Sequence, residues 1–205
     1  MLTDKTFSDL LKSFSTPDPT PGGGTAAAMA GAIGASLLVM VTGLPRTRHG
    51  SDEDRAALSA AAGALGPLRD ALSMLADADT QAYDAVVAAY RLPKTTDEEK
   101  AARKAAIQAA MGRATDVPLE VMRACAAALS EAERVAAHGN PSATSDVLVG
   151  TGLLMAALEG AKENVEINLP GLGDAARQAE IAAGVAAASE AAARSAAHVR
   201  AAVRA

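Results

Sequence analysis

Four short stretches of this sequence hold residues whose types and spacing could do chemistry. Pro19-Thr20-Pro21-Gly22-Gly23-Gly24-Thr25 sets three glycines directly before an alanine-rich apolar run. At a helix start, free backbone N–H groups and the positive dipole end attract an anion or a carbonyl, and glycine lets a ligand approach bare backbone. No Gly-Lys-Ser/Thr follows, so this is not a phosphate-binding P-loop. Asp79 and Tyr83 stand four residues apart on one helix face, where a positioned carboxylate could act as acid or base. A solvated stripe is the alternative there, and it is the reading for Asp84. Asn140, Ser145 and Asp146 gather hydrogen-bonding groups and a carboxylate near a helix start. Asp146 is either a first-turn acid stabilising the dipole or a carboxylate that moves a proton or steadies a cation. Between these stretches lies Arg46-Thr47-Arg48-His49. The two guanidinium forks suit carboxylates and the His49 imidazole could shuttle a proton, against the plainer reading of a solvated basic loop.

The elements that must position these groups read as helices throughout. Half of the 205 residues are apolar, yet aromatics make up only 2%, with no Trp, two Phe and two Tyr. A core must be built from Ala, Leu, Val, Ile and Met, through many close helix–helix contacts. Three- and four-residue spacing recurs nearly everywhere, which predicts an all-α bundle of long antiparallel helices in one domain, 1–205. A short helix is predicted over Lys5–Ser13, with Phe7, Leu10, Leu11 and Phe14 on one face. The second spans about Thr25–Leu44, with Gly31 and Gly34 allowing close approach of a neighbour. A long helix runs from Ser51, where Ser-Asp-Glu-Asp supplies a cap and first-turn acids, to Tyr90, with a bend expected near Gly66-Pro67. The next covers 97–114, and Val117-Pro118 either starts another helix or kinks this one; its buried stripe takes in Cys125. His138-Gly139-Asn140-Pro141 is a stop and restart, with His138 as a capping residue. The following helix reaches Asn168, and the last spans Asp174–Val203, where His198 lies on the surface.

Composition narrows the function classes. A net charge of −5, no long basic tract and few aromatics argue against nucleic acid as a partner. The single Cys125 offers neither a disulfide framework nor metal-ligand spacing, so no metal is expected and a reducing compartment fits. The opening MLTDKTFSDLLKSF lacks the basic segment and apolar core of a signal peptide. Residues 25–44 read as a buried helix rather than a membrane span, because glycines and Pro45 interrupt the apolar run. The expectation is a soluble, cytoplasmic protein.

Taken in order, the glycine stretch, Gly31-Ala32-Ile33-Gly34-Ala35, Asp79-Thr80-Gln81-Ala82-Tyr83, Ala89-Tyr90-Arg91-Leu92-Pro93-Lys94, Thr96-Asp97-Glu98-Glu99-Lys100, Asp116-Val117-Pro118-Leu119, His138-Gly139-Asn140, Ser145-Asp146 and Asn164-Val165-Glu166-Ile167-Asn168 form a series. This series resembles the formiminotransferase-cyclodeaminase C-terminal domain family, which includes stand-alone methenyltetrahydrofolate cyclohydrolases. The resemblance implies a homodimeric helical bundle acting on tetrahydrofolate, with no cofactor beyond that substrate. It implies either closure of 5-formiminotetrahydrofolate to 5,10-methenyltetrahydrofolate with release of ammonia, or opening of the methenyl form by water to 10-formyltetrahydrofolate. The first is placed narrowly ahead; a non-catalytic module that binds folate or merely dimerises is the alternative of another class. Asp146, Asp79 and His49 are the catalytic candidates. Gly22, Gly23, Gly24, Thr25, Arg46, Arg48, Tyr83, Asn140 and Ser145 are the substrate-binding candidates, expected to line one groove within a chain or across a dimer interface. One departure stands out: a lysine run ending in Tyr, frequent after the second helix in that family, reads here Gly43-Leu44-Pro45-Arg46-Thr47-Arg48-His49-Gly50.

Overall fold

The computed structural model describes residues 1–204, and among these every regular element is helical. Six α-helices follow in order: α1 Phe7–Phe14, α2 Gly23–Thr42, α3 Asp52–Tyr90, α4 Asp97–His138, α5 Thr144–Asn168 and α6 Ala175–Ala202. The long pair α3 and α4, 39 and 42 residues, forms the spine. Helix α2 packs against α3 and α5, while α4 also carries α5 and α6. Starts and stops follow local chemistry. Ser51 accepts from the Asp54 amide, Thr96 and Glu99 form a reciprocal capping box, and Asp174 accepts from the Ala176 and Arg177 amides.

The core is made of small and medium side chains, as the lack of aromatics requires. Leu38, Leu65, Leu72, Leu119, Met122, Leu129, Leu154 and Leu158 are among its largest fully buried members. Close approach does the rest. A Cβ on Gly34 would stand 2.8 Å from the Gly150 carbonyl oxygen, and one on Gly150 would stand 3.0 Å from the Gly34 carbonyl oxygen. Helices α2 and α5 thus meet backbone to backbone. Cys125 is fully buried beside Gly31, and burial pushes its thiol up to about 12, as suits a packing residue.

Several expectations need correction. Of the two alternatives at Val117-Pro118, a new helix is excluded: α4 is one continuous helix with Pro118 buried inside it. Proline lacks the N–H that would bond the carbonyl four residues earlier, at Ala114. The Asn168 side-chain amide donates to that carbonyl instead, at 2.9 Å. Helix α3 runs through Pro67 to Tyr90, the span expected from sequence. Gly23 and Gly24 belong to the first turn of α2 rather than to the loop before it. The apolar face of α1 is not packed: no α1 residue is buried, and Phe7 is 71% exposed. The preceding turn is tied down by polar contacts instead, with the Leu2 amide and the Thr3 hydroxyl donating to Asp77. By length and composition α2 and the stretch Pro141–Gly171 could cross a membrane, but half of the α2 window is buried within the bundle, in keeping with the reading of residues 25–44 as a buried helix.

Candidate active site

The glycine turn opens onto a cavity of about 330 Å³ between the start of α2, the last third of α3, the middle of α4 and the end of α5. Among the described residues Asp79 is its only carboxylate, in walls that include Gly22–Gly24, Tyr83, Asn164 and Asn168. Asp79 reaches from α3 to the N-terminus of α2. The Thr25 hydroxyl donates to Asp79 Oδ2 at 2.8 Å, and the Thr80 hydroxyl lies 3.2 Å from that of Thr25. The approach is so close that any Cβ on Gly24 would collide with the Asp79 carboxylate. Burial pushes the Asp79 carboxyl above its ordinary value, offset in part by the Thr25 hydroxyl and amide. Among the described residues no cation lines the cavity. The positive end of α2 is therefore met by the protein's own carboxylate, and an anion would find negative charge there. The walls suit a neutral hydrogen-bonding ring or a cation.

Two wall residues were quoted from the sequence without being given a role. Asn164 and Asn168, four apart on α5, both line the cavity. Asn164 is held by donation to the Gly160 carbonyl at 2.8 Å, and Asn168 by the Ala114 carbonyl that Pro118 leaves free. One hydrogen of each amide is thereby fixed, which orients the rest of the group. The four-residue spacing was the available signal.

The remaining candidates collect at the opposite end of α2. Twenty residues of helix separate the two places, about 30 Å. There Asp54, 1% exposed, accepts from the Thr47 hydroxyl at 3.0 Å and from the His49 amide at 2.7 Å. Its other oxygen lies 2.9 Å from His138 Nδ1 and 3.2 Å from His49 Nδ1. His138 beside it, then the His49 and Thr47 donors, hold this carboxyl well below the usual range against the opposing effect of burial. Arg48 donates to the Ala136 carbonyl, and its own amide donates to that of His138. These bonds close the C-terminal end of α4. The sequence reading of Asp54 as an ordinary first-turn acid missed this hub, and His138 holds Asp54 rather than merely capping. Asn140 accepts from the Ser142 amide as a cap, while Arg46 and Ser145 are exposed and Asp146 stands in the first turn of α5. His198 pairs with Glu133 on the surface. One chain thus brings together Gly22, Gly23, Gly24, Thr25, Asp79 and Tyr83. It does not bring Arg46, Arg48, His49, Asn140, Ser145 or Asp146 to them, because α2 and α5 are antiparallel and hold the two groups at opposite ends.

Comparison with known proteins then decides the family, since the formiminotransferase-cyclodeaminase profile matches residues 6–199. The chain belongs to the formiminotransferase-cyclodeaminase family. It is 44% identical over 177 residues to a methenyltetrahydrofolate cyclohydrolase of Methylorubrum extorquens, covering 86% of this chain and 85% of that protein. It is 31% identical over 173 residues to the formimidoyltransferase-cyclodeaminase of Gallus gallus, of which it spans only 32%. Its fold matches the formiminotetrahydrofolate cyclodeaminase of Thermotoga maritima with a TM-score of 0.88, at 24% identity, over 100% of this chain and 98% of that one. The chain is therefore an all-helical enzyme of folate one-carbon chemistry.

Proposed function

We propose that this protein hydrolyses 5,10-methenyltetrahydrofolate to 10-formyltetrahydrofolate. The observation that carries this reading is the 44% identity, over nearly the full length of both chains, to a protein named for that reaction. It reverses the narrow order drawn from sequence, which put cyclodeaminase first. The second reading keeps its own support, since relatives named formimidoyltransferase-cyclodeaminase match 84% of the chain.

The cavity suits the chemistry. The methenyl group is a cationic amidinium, and an unpaired carboxylate in a half-buried site attracts it. Water attacks the methenyl carbon, a C–O bond forms, and Asp79 takes the released proton. Asp79 then returns a proton to the N5 nitrogen as its bond to that carbon breaks, while the hydroxyl loses its proton to solvent as the C=O forms, leaving the formyl group on N10 and one proton released overall. A carboxyl raised by burial is closer to neutrality and better matched to both transfers. In the cyclodeaminase direction the same group would protonate departing ammonia. Loss of methenyl absorbance from the methenyl substrate supports hydrolysis, its growth from the formimino substrate supports deamination, and neither change would leave only a binding module.

Two copies are proposed to pair through the outer faces of α2 and α5. Ile33 is 51% exposed at the middle of α2, with Met40, Leu148 and Val149 also exposed on this side. A twofold axis near Ile33 with α2 antiparallel to its copy sets the Arg46–His49 and Asn140–Asp146 end of one chain beside the cavity of the other. Asp146 and His49 would then act on the same substrate as Asp79. Ile33→Asp is expected to give a monomer by light scattering; a variant of unchanged mass refutes this face.

A further inference from the structure

Two prolines interrupt the hydrogen-bond ladders of the long helices, Pro67 in α3 and Pro118 in α4, and each leaves one carbonyl without its helical N–H. At Pro67 the freed carbonyl is that of Gly63, an exposed residue, and it is open to water. At Pro118 it is that of Ala114, on the wall of the Asp79 cavity, where the Asn168 amide donates to it at 2.9 Å. A proline inside a helix is costly, and alanine there would restore the bond. The cost calls for a reason at the proline whose freed carbonyl borders the cavity.

Holding α5 against α4 does not supply that reason. The turn after α5 is already clamped to α4 by Gln108, which donates to the Gly171 carbonyl at 3.1 Å and accepts from the Gly173 amide at 2.6 Å. Arg177 in the first turns of α6 adds a pair with Asp116 of α4 at 2.6 Å. What the Ala114 bond alone fixes is the side chain of Asn168. Asn164, one turn earlier, is held within its own helix by the Gly160 carbonyl and needs nothing from α4. Among the described residues, Asn168 donates to the Ala114 carbonyl alone, and no protein donor reaches its Oδ1. Fixing one amide hydrogen sets the plane of the group. It leaves Oδ1 and the second hydrogen, an acceptor and a donor side by side, on the cavity wall. Such a pair matches a ring that carries an N–H beside a carbonyl, as the lactam edge of a pterin does.

We propose that Pro118 is a positioning residue for substrate binding: by withholding its N–H it reserves the Ala114 carbonyl for Asn168, which is thereby set to bind the lactam edge of the ring in the Asp79 cavity. The identity of that ring rests on the folate reading above; the geometry of Asn168 does not. Supplying an N–H at position 118 lets the helix compete for the carbonyl. The released amide must then be ordered by the ligand, which costs affinity.

The test sets stability against affinity. Pro118→Ala and Pro118→Val both supply the N–H, and valine also keeps the buried apolar bulk. Both are expected to melt no lower than the native protein, because the helix regains a bond. In both, the dissociation constant of 5-formyltetrahydrofolate, measured by calorimetry, is expected to rise about fivefold. Asn168→Ala should weaken binding about tenfold, and the Pro118→Ala/Asn168→Ala double variant no further. Without ligand, nitrogen relaxation should show the Asn168 side-chain amide rigid in the native protein and mobile in Pro118→Ala. Unchanged affinity in either proline variant, a further loss in the double variant, or lower melting in both overturns the proposal. So does an Asn168 amide that is equally rigid with and without Pro118. Failure of the native protein to bind 5-formyltetrahydrofolate, with the amide still released in Pro118→Ala, overturns the folate reading and keeps Pro118 as the positioner of Asn168.

Discussion

The two ends of α2 each hold a withdrawn aspartate, and the difference between them separates scaffold from site. Asp54 has its oxygens filled by the protein: Thr47, the His49 amide and two imidazoles surround it, and its carboxyl is held low. Asp79 has the Thr25 group on one side and an open cavity on the other, and its carboxyl is raised. A carboxylate with a full set of donors has nothing left to offer a substrate and works as a staple between α3, α4 and the α2–α3 loop. One that is half satisfied in a cavity stores the means to pair with a cation or to carry a proton.

Substitution with asparagine breaks the comparison most directly. Asp79→Asn keeps the shape and an acceptor for Thr25, and kcat for methenyl hydrolysis is expected to fall about 10²-fold or more. Wild-type turnover in a steady-state assay would remove Asp79 from the chemistry. The same change costs no stability. A raised folded pKa means that the folded state favours the neutral group, so the charge on Asp79 weakens folding at neutral pH and the penalty fades as pH falls through the raised value. Asp79→Asn should melt no lower than the native protein at pH 7.

Gly24→Ala attacks the same contact from the other side. The new methyl displaces the Asp79 carboxylate, and kcat is expected to drop about tenfold or more. Gly34→Ala, halfway along the same helix, presses instead on the Gly150 carbonyl and should cost about 1–3 kcal/mol of stability in denaturant titration. A Gly24→Ala loss that appears only as instability would erase the distinction between the two glycine sites.

The aspartate at the other end answers to pH in the opposite sense. Asp54 has a depressed folded pKa, so its contribution is fully present above the ordinary carboxylate value of about 4 and is lost as pH falls below it. Asp54→Asn should lower the melting temperature at pH 7 by several degrees, with the gap to the native protein narrowing in acid. Catalysis per folded molecule should change far less than in Asp79→Asn. The smallest effect is expected in the acid limb of native kcat/KM, whose midpoint should lie above about 4 because Asp79 must be ionised to accept a proton.

Much of this was legible in the sequence because it is local. Helical period, the Ser51, Thr96 and Asp174 caps and the stop at His138-Gly139 are each set within a few residues. The Gly34 packing role was legible too, since a small residue on a buried face has few other uses. What could not be read was which distant partner completes each group. Pro118 left two readings open because its consequence, a free carbonyl at Ala114, is satisfied by Asn168 from another helix. Asp54 looked like a first-turn acid because His138 lies 84 residues away. The single groove drawn from sequence divides into two places for a similar reason: order along the chain does not reveal that α5 packs along α2.

The sequence by itself determined an all-helical bundle of small side chains, its element boundaries to within a few residues, and the family to which the chain belongs. Those properties follow from periodicity, capping and an ordered series of short motifs, all of which are read along one dimension. Tertiary structure alone decided that the glycine turn meets Asp79 rather than a free anion and that Asp54 is a staple. Each of these depends on which helix lies against which. A carboxylate's protonation is set by the donors and solvent that packing leaves around it.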